Sequence, residues 1–167
     1  MIISQSNFWE YAYSDFLDNR NRGALGEFIV ASALGITQSP LSSWESWDME
    51  TKEGIKIEVK TSGYIQTWFQ SKLSKPSYGI PKKYGWVGKT NEWDNIKTRQ
   101  ADVYVFCLYT ETEKEGANPL NTDHWEFFVL PTIKLPEQLS LGLPTIKKLT
   151  NSCTFAELQT VVLSCTG

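Results

Sequence analysis

The chain is poor in histidine, has few cysteines and lacks any long apolar run. His124 is the single histidine, so a multi-histidine metal centre is impossible. A Ser-His-Asp or Cys-His site would have to use that residue, and no GxSxG elbow is there to carry a nucleophile. The three cysteines, Cys107, Cys153 and Cys165, are odd in number, widely spaced and without a CxxC pair, which argues against structural zinc. Cys107 lies inside the apolar run 103–108, where a thiol acts as a small buried hydrophobe. No stretch approaches the roughly 20 apolar residues that span a bilayer. Residues 1–7 lack the basic start and apolar core of a signal peptide. The expectation is a soluble, cytoplasmic protein without a membrane partner. Any metal chemistry would rest on carboxylates, and therefore on a hard cation such as magnesium.

What the chain does have fits one domain, 1–167, of ordinary size. Its 167 residues are 41% apolar, 13% aromatic and 21% charged, which excludes a disordered tail, a collagen-like chain and a low-complexity protein. The net charge is −3, unevenly spread. Between positions 71 and 100 lie Lys72, Lys75, Lys82, Lys83, Lys89, Lys97 and Arg99 against only Glu92 and Asp94. A basic segment on an acidic body can bind phosphates. On charge alone, a solvated lysine-rich loop is the simpler reading.

Local patterns give an order of elements. Residues 8–17 read as a helix capped by Asn7, and 22–34 as a second helix closed by Gly35. The second is rich in small residues (Gly23, Ala24, Gly26, Ala31, Ala33), which suits close packing against a sheet, and Glu27 lies among them. Residues 44–50 alternate as a strand, a turn follows at 52–54, and 55–60 alternate strictly. Ile55, Ile57 and Val59 take one face of that strand; Lys56, Glu58 and Lys60 take the other. Paired about the turn, Asp48 falls roughly opposite Glu58. Residues 71–100 read as long loops with one short strand, and loops of that length in a compact domain are usually functional or disordered. Strands follow at 102–109 and 124–130, then a short helix at 145–149 and a last one at 154–163 with Glu157 completing a capping box. The order describes a mixed α/β (α+β) domain.

The segment 48–60 carries the chemistry. Glu58 and Lys60 share a strand face, and a hairpin brings Asp48 alongside. Two carboxylates so placed can share a divalent cation, and the Val59 carbonyl can join if the strand is twisted or bulged there. A metal so held polarises a phosphoryl oxygen and acidifies water; Lys60 can orient that water or offset charge on the phosphate. Glu27 is a further candidate ligand. Glu and Lys two apart are common on solvated strand faces, and short motifs match often by chance. Three features point further here: the hydroxyls of Thr61 and Ser62, the carboxylate of Glu27 on a helix facing a sheet, and the basic aromatic segment downstream.

Glu27 on a helix, Asp48, then Glu58-Val59-Lys60 resembles the PD-(D/E)XK nuclease superfamily, with its restriction-endonuclease-like core of a central mixed sheet flanked by helices. The resemblance implies that Asp48 and Glu58 are metal-binding carboxylates, Lys60 the catalytic lysine and Glu27 the extra helix acid of some branches. The run 58–66 is similar to a little-characterised group of small bacterial proteins with this fold, and Gln66 resembles the polar residue that follows the ExK strand in some branches. The match covers residues 22–66, about a quarter of the chain. Trp47 stands where the family name has proline, and the helix expected between the third and fourth core strands has no clear counterpart.

The resulting expectation is a Mg2+- or Mn2+-dependent endonuclease or exonuclease acting on nucleic acid, with DNA the favoured substrate. Its site would comprise Asp48, Glu58, Lys60, Glu27 and Val59, with Gln66 as an additional residue. Lys72, Lys75, Lys82, Lys83, Lys89 and Arg99 would hold the backbone, which predicts salt-sensitive binding. Specificity would need loops, a homodimer or a partner subunit. Two other readings stand beside it: a non-catalytic nucleic-acid-binding module, and a protein-interaction domain presenting Glu111, Glu113 and Glu115. Arg20 and Arg22 can touch phosphate, though surface solvation is simpler. Trp86 and Trp93 are candidates for base stacking. For Tyr64, Trp68 and Phe69 core packing is the simpler reading, and for His124 a structural role.

Overall fold

The computed structural model describes residues 2–37, 45–87 and 91–165. Helix α1 (Gln5–Tyr13) starts earlier than its pattern suggests. Ser4, three residues before Asn7, takes the cap, and its hydroxyl accepts from the Asn7 N–H. The helix stops at Tyr13 because Asp15 folds the next residues into a turn, accepting from the N–H groups of Leu17 at 2.9 Å and Asp18 at 3.3 Å. Asp18 then caps α2 (Asn19–Leu34), accepting from Arg20 and Asn21; such a cap is worth about 1 kcal/mol. The predicted closure holds: Gly35 takes the left-handed conformation at φ +69° and donates to Ala31 and Ser32, which a side chain would oppose.

Six strands come in the order β1 (Met49–Glu50), β2 (Lys56–Gly63), β3 (Ser77–Gly79), β4 (Trp86–Val87), β5 (Glu92–Trp93) and β6 (Val103–Tyr109). Then follow β7 (Trp125–Pro131), β8 (Ser140–Gly142), α3 (Leu143–Leu149), β9 (Ser152–Cys153) and α4 (Leu158–Ser164). The main sheet runs β1-β2-β6-β7-β9. Only β2 and β6 are parallel; the other neighbours are antiparallel. The architecture is mixed α/β: a mixed five-stranded sheet with four helices among the described residues.

Each face of the sheet has its own core. On one, α2 and α4 place Leu25, Ile29, Val30, Leu158 and Val162 against Ile57, Val59, Val105, Cys107, Phe127 and Val129. On the other, Tyr78, Ile80, Leu141, Leu143 and Ile146 cover Tyr104, Phe106, Leu108, Phe128 and Leu130. Every residue of β6 is buried, which explains its unbroken apolar run. At about 1.5–3 kcal/mol per large apolar side chain, β6 and β7 are the anchor of the fold. Cys107 is fully buried in this core, and burial pushes its thiol pKa well up.

Several expected boundaries shift. Of the expected strand 44–50, only Met49 and Glu50 pair; residues 45–48 bend and Trp44 lies outside the described residues. The stretch 71–100 contains three short strands rather than one. His124 closes a 3-10 turn (Thr122–His124) before β7 instead of opening the strand. Helix α4 begins at Leu158, because Glu157 accepts from the N–H and hydroxyl of Thr154 at 2.8 Å and holds 154–157 as a turn. The crossover joining the parallel strands β2 and β6 usually contains a helix; here it holds none among its described residues.

Candidate active site

Strand β2 has two unequal edges. Its inner edge is zipped to β6 in unbroken parallel register from Ile57↔Val103 to Gly63↔Tyr109, so the bulge invoked for Val59 is absent. Among the described residues its outer edge is covered only by two-residue β1, and beyond Ile57 it has no strand partner there. Asp48 occupies that opening. Its N–H donates to the Ile57 carbonyl at 3.0 Å, and its carboxylate accepts from the Val59 N–H at 2.6 Å. Asp48 therefore spans the positions either side of Glu58. In a strand the N–H and C=O of one residue point the same way, so the Val59 carbonyl also points to the outer edge, without a bulge.

The side chains around this edge arrive from two directions. Ile57 and Val59 pack toward α2, so alternation sends Glu58 and Lys60 to the opposite face, beside their register partners Tyr104 and Phe106. Glu58 is buried, 8% exposed, and its carboxylate accepts from Lys60 Nζ at 2.5 Å. Glu27 approaches from α2. That helix comes unusually close to β2 at Gly26, where an added Cβ would stand 2.1 Å from Thr61 Oγ1. Thr61 thus faces α2, on the opposite face of β2 from Glu58 and Lys60.

Electrostatics tie the three acids together. Burial, then the charges of Asp48 and Glu58, push the Glu27 pKa up to about 7, against the pull of Lys60. Asp48 is also raised, by burial and then by Glu58, with the Val59 N–H and the ammonium groups of Lys60 and Lys83 opposing. Nearby Tyr104 is pushed to about 12, mainly by burial and next by Glu58. Carboxylates that raise one another are short of positive charge. Oxygen-only donors of this kind suit a hard divalent cation such as Mg2+ or Mn2+. Among the described residues, however, no three His, Cys, Asp or Glu side chains stand together as a group able to hold a metal ion.

The basic residues separate into distinct roles. Lys83 Nζ lies 3.9 Å from Glu58 Oε1, so one lysine of the basic segment stands at the carboxylates. Lys82 instead pairs with Glu137 at 2.8 Å. Arg99 is 5% exposed at its side chain and donates to the carbonyls of Ile80, Pro136 and Gln138; it is a strut inside the fold. Lys72 and Lys75 are exposed and, with Trp68, Phe69 and Leu73, line an open groove of about 510 Å3. Lys89 lies outside the described residues.

Gln66 and Arg22 form a separate polar knot. Arg22 is 2% exposed, neither solvated nor offered to phosphate. It donates to the Ile65 carbonyl at 2.8 Å, to Asn19 at 2.5 Å and to Gln66 at 2.9 Å. Gln66, also buried, donates to Ser74 and Gly63. This knot pins the start of α2 to the exit of β2, and Gln66 makes no hydrogen bond to the carboxylates. Tyr64 packs partly on the core, while Trp68 and Phe69 are 52% and 90% exposed, contrary to the packing expected for them. His124 sits between Glu111, at 3.5 Å from Nδ1, and Asn121.

Sequence reasoning placed Lys83 only in a general strip. No local signal singles it out, because the strands that follow it are only two residues long. A scan against protein-family models finds no match for this chain, and a search of curated proteins finds no relative. No helix among the described residues is long and apolar enough to cross a membrane.

Proposed function

We propose that this chain is a metal-dependent nuclease with a restriction-endonuclease-like core, hydrolysing phosphodiester bonds of nucleic acid, with DNA the favoured substrate. One observation carries the reading: Asp48, Glu58, Lys60 and Lys83 gather at the outer edge of β2, with Glu27 of α2 within electrostatic reach of them. Glu27, Asp48, Glu58 and the Val59 carbonyl are the groups that would hold Mg2+ or Mn2+. That ion, when bound, supplies Lewis-acid polarisation of a phosphoryl oxygen and a water of lowered pKa. Lys60, held by Glu58, orients the attacking water and offsets the charge that grows on the phosphate. Water forms the new P–O bond as the ester P–O bond breaks, and the leaving oxygen takes up a proton from solvent. Lys83 holds the phosphate from the opposite support.

The test is cleavage of plasmid, linear and single-stranded DNA with Mg2+, Mn2+ or chelator, beside Glu58→Ala and Lys60→Ala. Metal-dependent cutting lost in both variants is the expected result. Cutting that survives both, or that ignores chelator, would overturn the reading. A non-catalytic nucleic-acid-binding module is the second reading, favoured by the lack of a closed metal-binding group among the described residues; it predicts salt-sensitive binding without cleavage.

A further inference from the structure

The segment that delivers Lys83 is an arm with its own architecture. Lys83 and Thr98 exchange backbone hydrogen bonds at 2.9 and 3.0 Å, and Asp94 donates to Gly85 at 2.8 Å. Above them β4 and β5 pair, with the Trp86 and Trp93 rings 5.1 Å apart. The base of the arm is fixed to the acid site at two points. Lys83 reaches Glu58. Ser46, two residues before Asp48, bonds the backbone of Trp86 through its hydroxyl, at 2.8 Å to the N–H and 3.1 Å to the carbonyl. The strands approach closely at Gly85, where a Cβ would stand 2.2 Å from Asp94 and 2.8 Å from Gln100.

The arm exposes what a buried hairpin would hide. Trp93 is 65% exposed and Tyr84 49%. Lys97 Nζ lies 5.1 Å over the Tyr84 ring, so a cation and an aromatic face are offered together. The cations the arm offers are Lys83 and Lys97, beside the acids Glu92 and Asp94; Lys82 is paired with Glu137 and Arg99 is spent inside the fold. Exposed rings beside lysines suit a polyanion whose bases are free to stack. In a duplex the base faces are covered by their neighbours; in a single strand each is open to an aromatic side chain.

We propose that this arm is a platform for single-stranded nucleic acid, on which Trp93 and Tyr84 stack bases while Lys83 passes the backbone to the acid edge of β2. The inference rests on the nuclease reading for the fate of the strand, but binding to the arm stands on its own observations. It assigns the substrate class: unpaired strands or frayed ends.

The experiment is fluorescence anisotropy of the full chain in chelator, with labelled oligo(dT) and a blunt hairpin duplex of equal length as probes. The variants are Trp93→Ala, Tyr84→Ala and Trp93→Phe, each checked for folding by circular dichroism. Oligo(dT) should bind more tightly than the duplex. Trp93→Ala should weaken it about tenfold and Trp93→Phe restore most of the loss, as base stacking on an aromatic ring predicts. Equal or tighter duplex binding, indifference to Trp93→Ala in a folded variant, or no binding of either probe would overturn the arm's role. Oligo(dT) binding that depends on Trp93, with no metal-dependent cleavage of any DNA, would support the arm and overturn the nuclease reading. Cleavage of duplex lost in Glu58→Ala but blind to Trp93→Ala would do the reverse.

Discussion

Lys60 and Lys83 both reach Glu58, at 2.5 and 3.9 Å, yet they hang from different supports. Lys60 projects from β2, which is zipped to buried β6 along seven register pairs and backed by α2. Its side chain is 26% exposed. Lys83 starts a thin arm of two-residue strands, and its side chain is 65% exposed. One ammonium is built into the wall of the site, and the other is carried by a loop and a hairpin outside it. A preorganised charge acts without reorganisation during reaction; an exposed one contributes mainly to holding a charged ligand. The difference predicts unequal roles for two lysines of the same sign at the same carboxylate.

The largest effect should come from breaking the wall. Arg22→Ala removes a buried guanidinium and leaves the Ile65 carbonyl, Asn19 and Gln66 without their donor. It should lower unfolding free energy by about 3 kcal/mol, read by urea denaturation. Next, Lys60→Ala should slow cleavage about a hundredfold or more, while Lys83→Ala weakens substrate binding about tenfold with a smaller change in the rate at saturation. Single-turnover kinetics over a substrate series separates the two. Equal losses in rate at saturation would erase the distinction between wall and arm.

Gly26→Ala tests how tightly α2 seats on β2. The added Cβ meets Thr61 Oγ1, and forcing Thr61 aside should outweigh the gain in helix propensity, for a net loss of about 1–2 kcal/mol. Thr61→Ala in the same chain should recover part of it, a coupling that a double-mutant cycle measures.

The last effect depends on pH. Folded Glu27 keeps its proton up to about pH 7, whereas an unconstrained glutamate loses it near 4.5. The folded state therefore binds more protons in that window, and the contribution of Glu27 to stability is lost as pH rises through it. In chelator, Glu27→Gln should melt like the wild type near pH 4, where both side chains are neutral, and above it at pH 8. Thermal melts at the two pH values check the sign.

Much of this was written in local pattern. Strict alternation marked β2, the turn at 52–54 set Asp48 beside Glu58, and an unbroken apolar run marked β6, because each signal depends on neighbours in the chain. Arg22 was misread as a surface residue because its burial depends on Ile65 and Gln66, 43 and 44 residues away. Trp68 and Phe69 look like core aromatics until the loop that carries them is placed. The two-residue strands β4 and β5 are too short to show a period, so the arm, and with it the position of Lys83, emerges only in three dimensions. Gln66 was assigned to the acid site by resemblance, and its side chain is turned to Arg22.

The central claim is that the outer edge of β2 is a divalent-cation site made of carboxylates. Calorimetric titration of Mn2+ at pH 8 into the wild type, Glu58→Ala and Lys60→Ala tests it most directly. The account predicts a saturable binding event in the wild type, abolished in Glu58→Ala and retained in Lys60→Ala, with a matching rise in melting temperature for the two that bind. No binding by the folded wild type, or the same binding in wild type and Glu58→Ala, would contradict it.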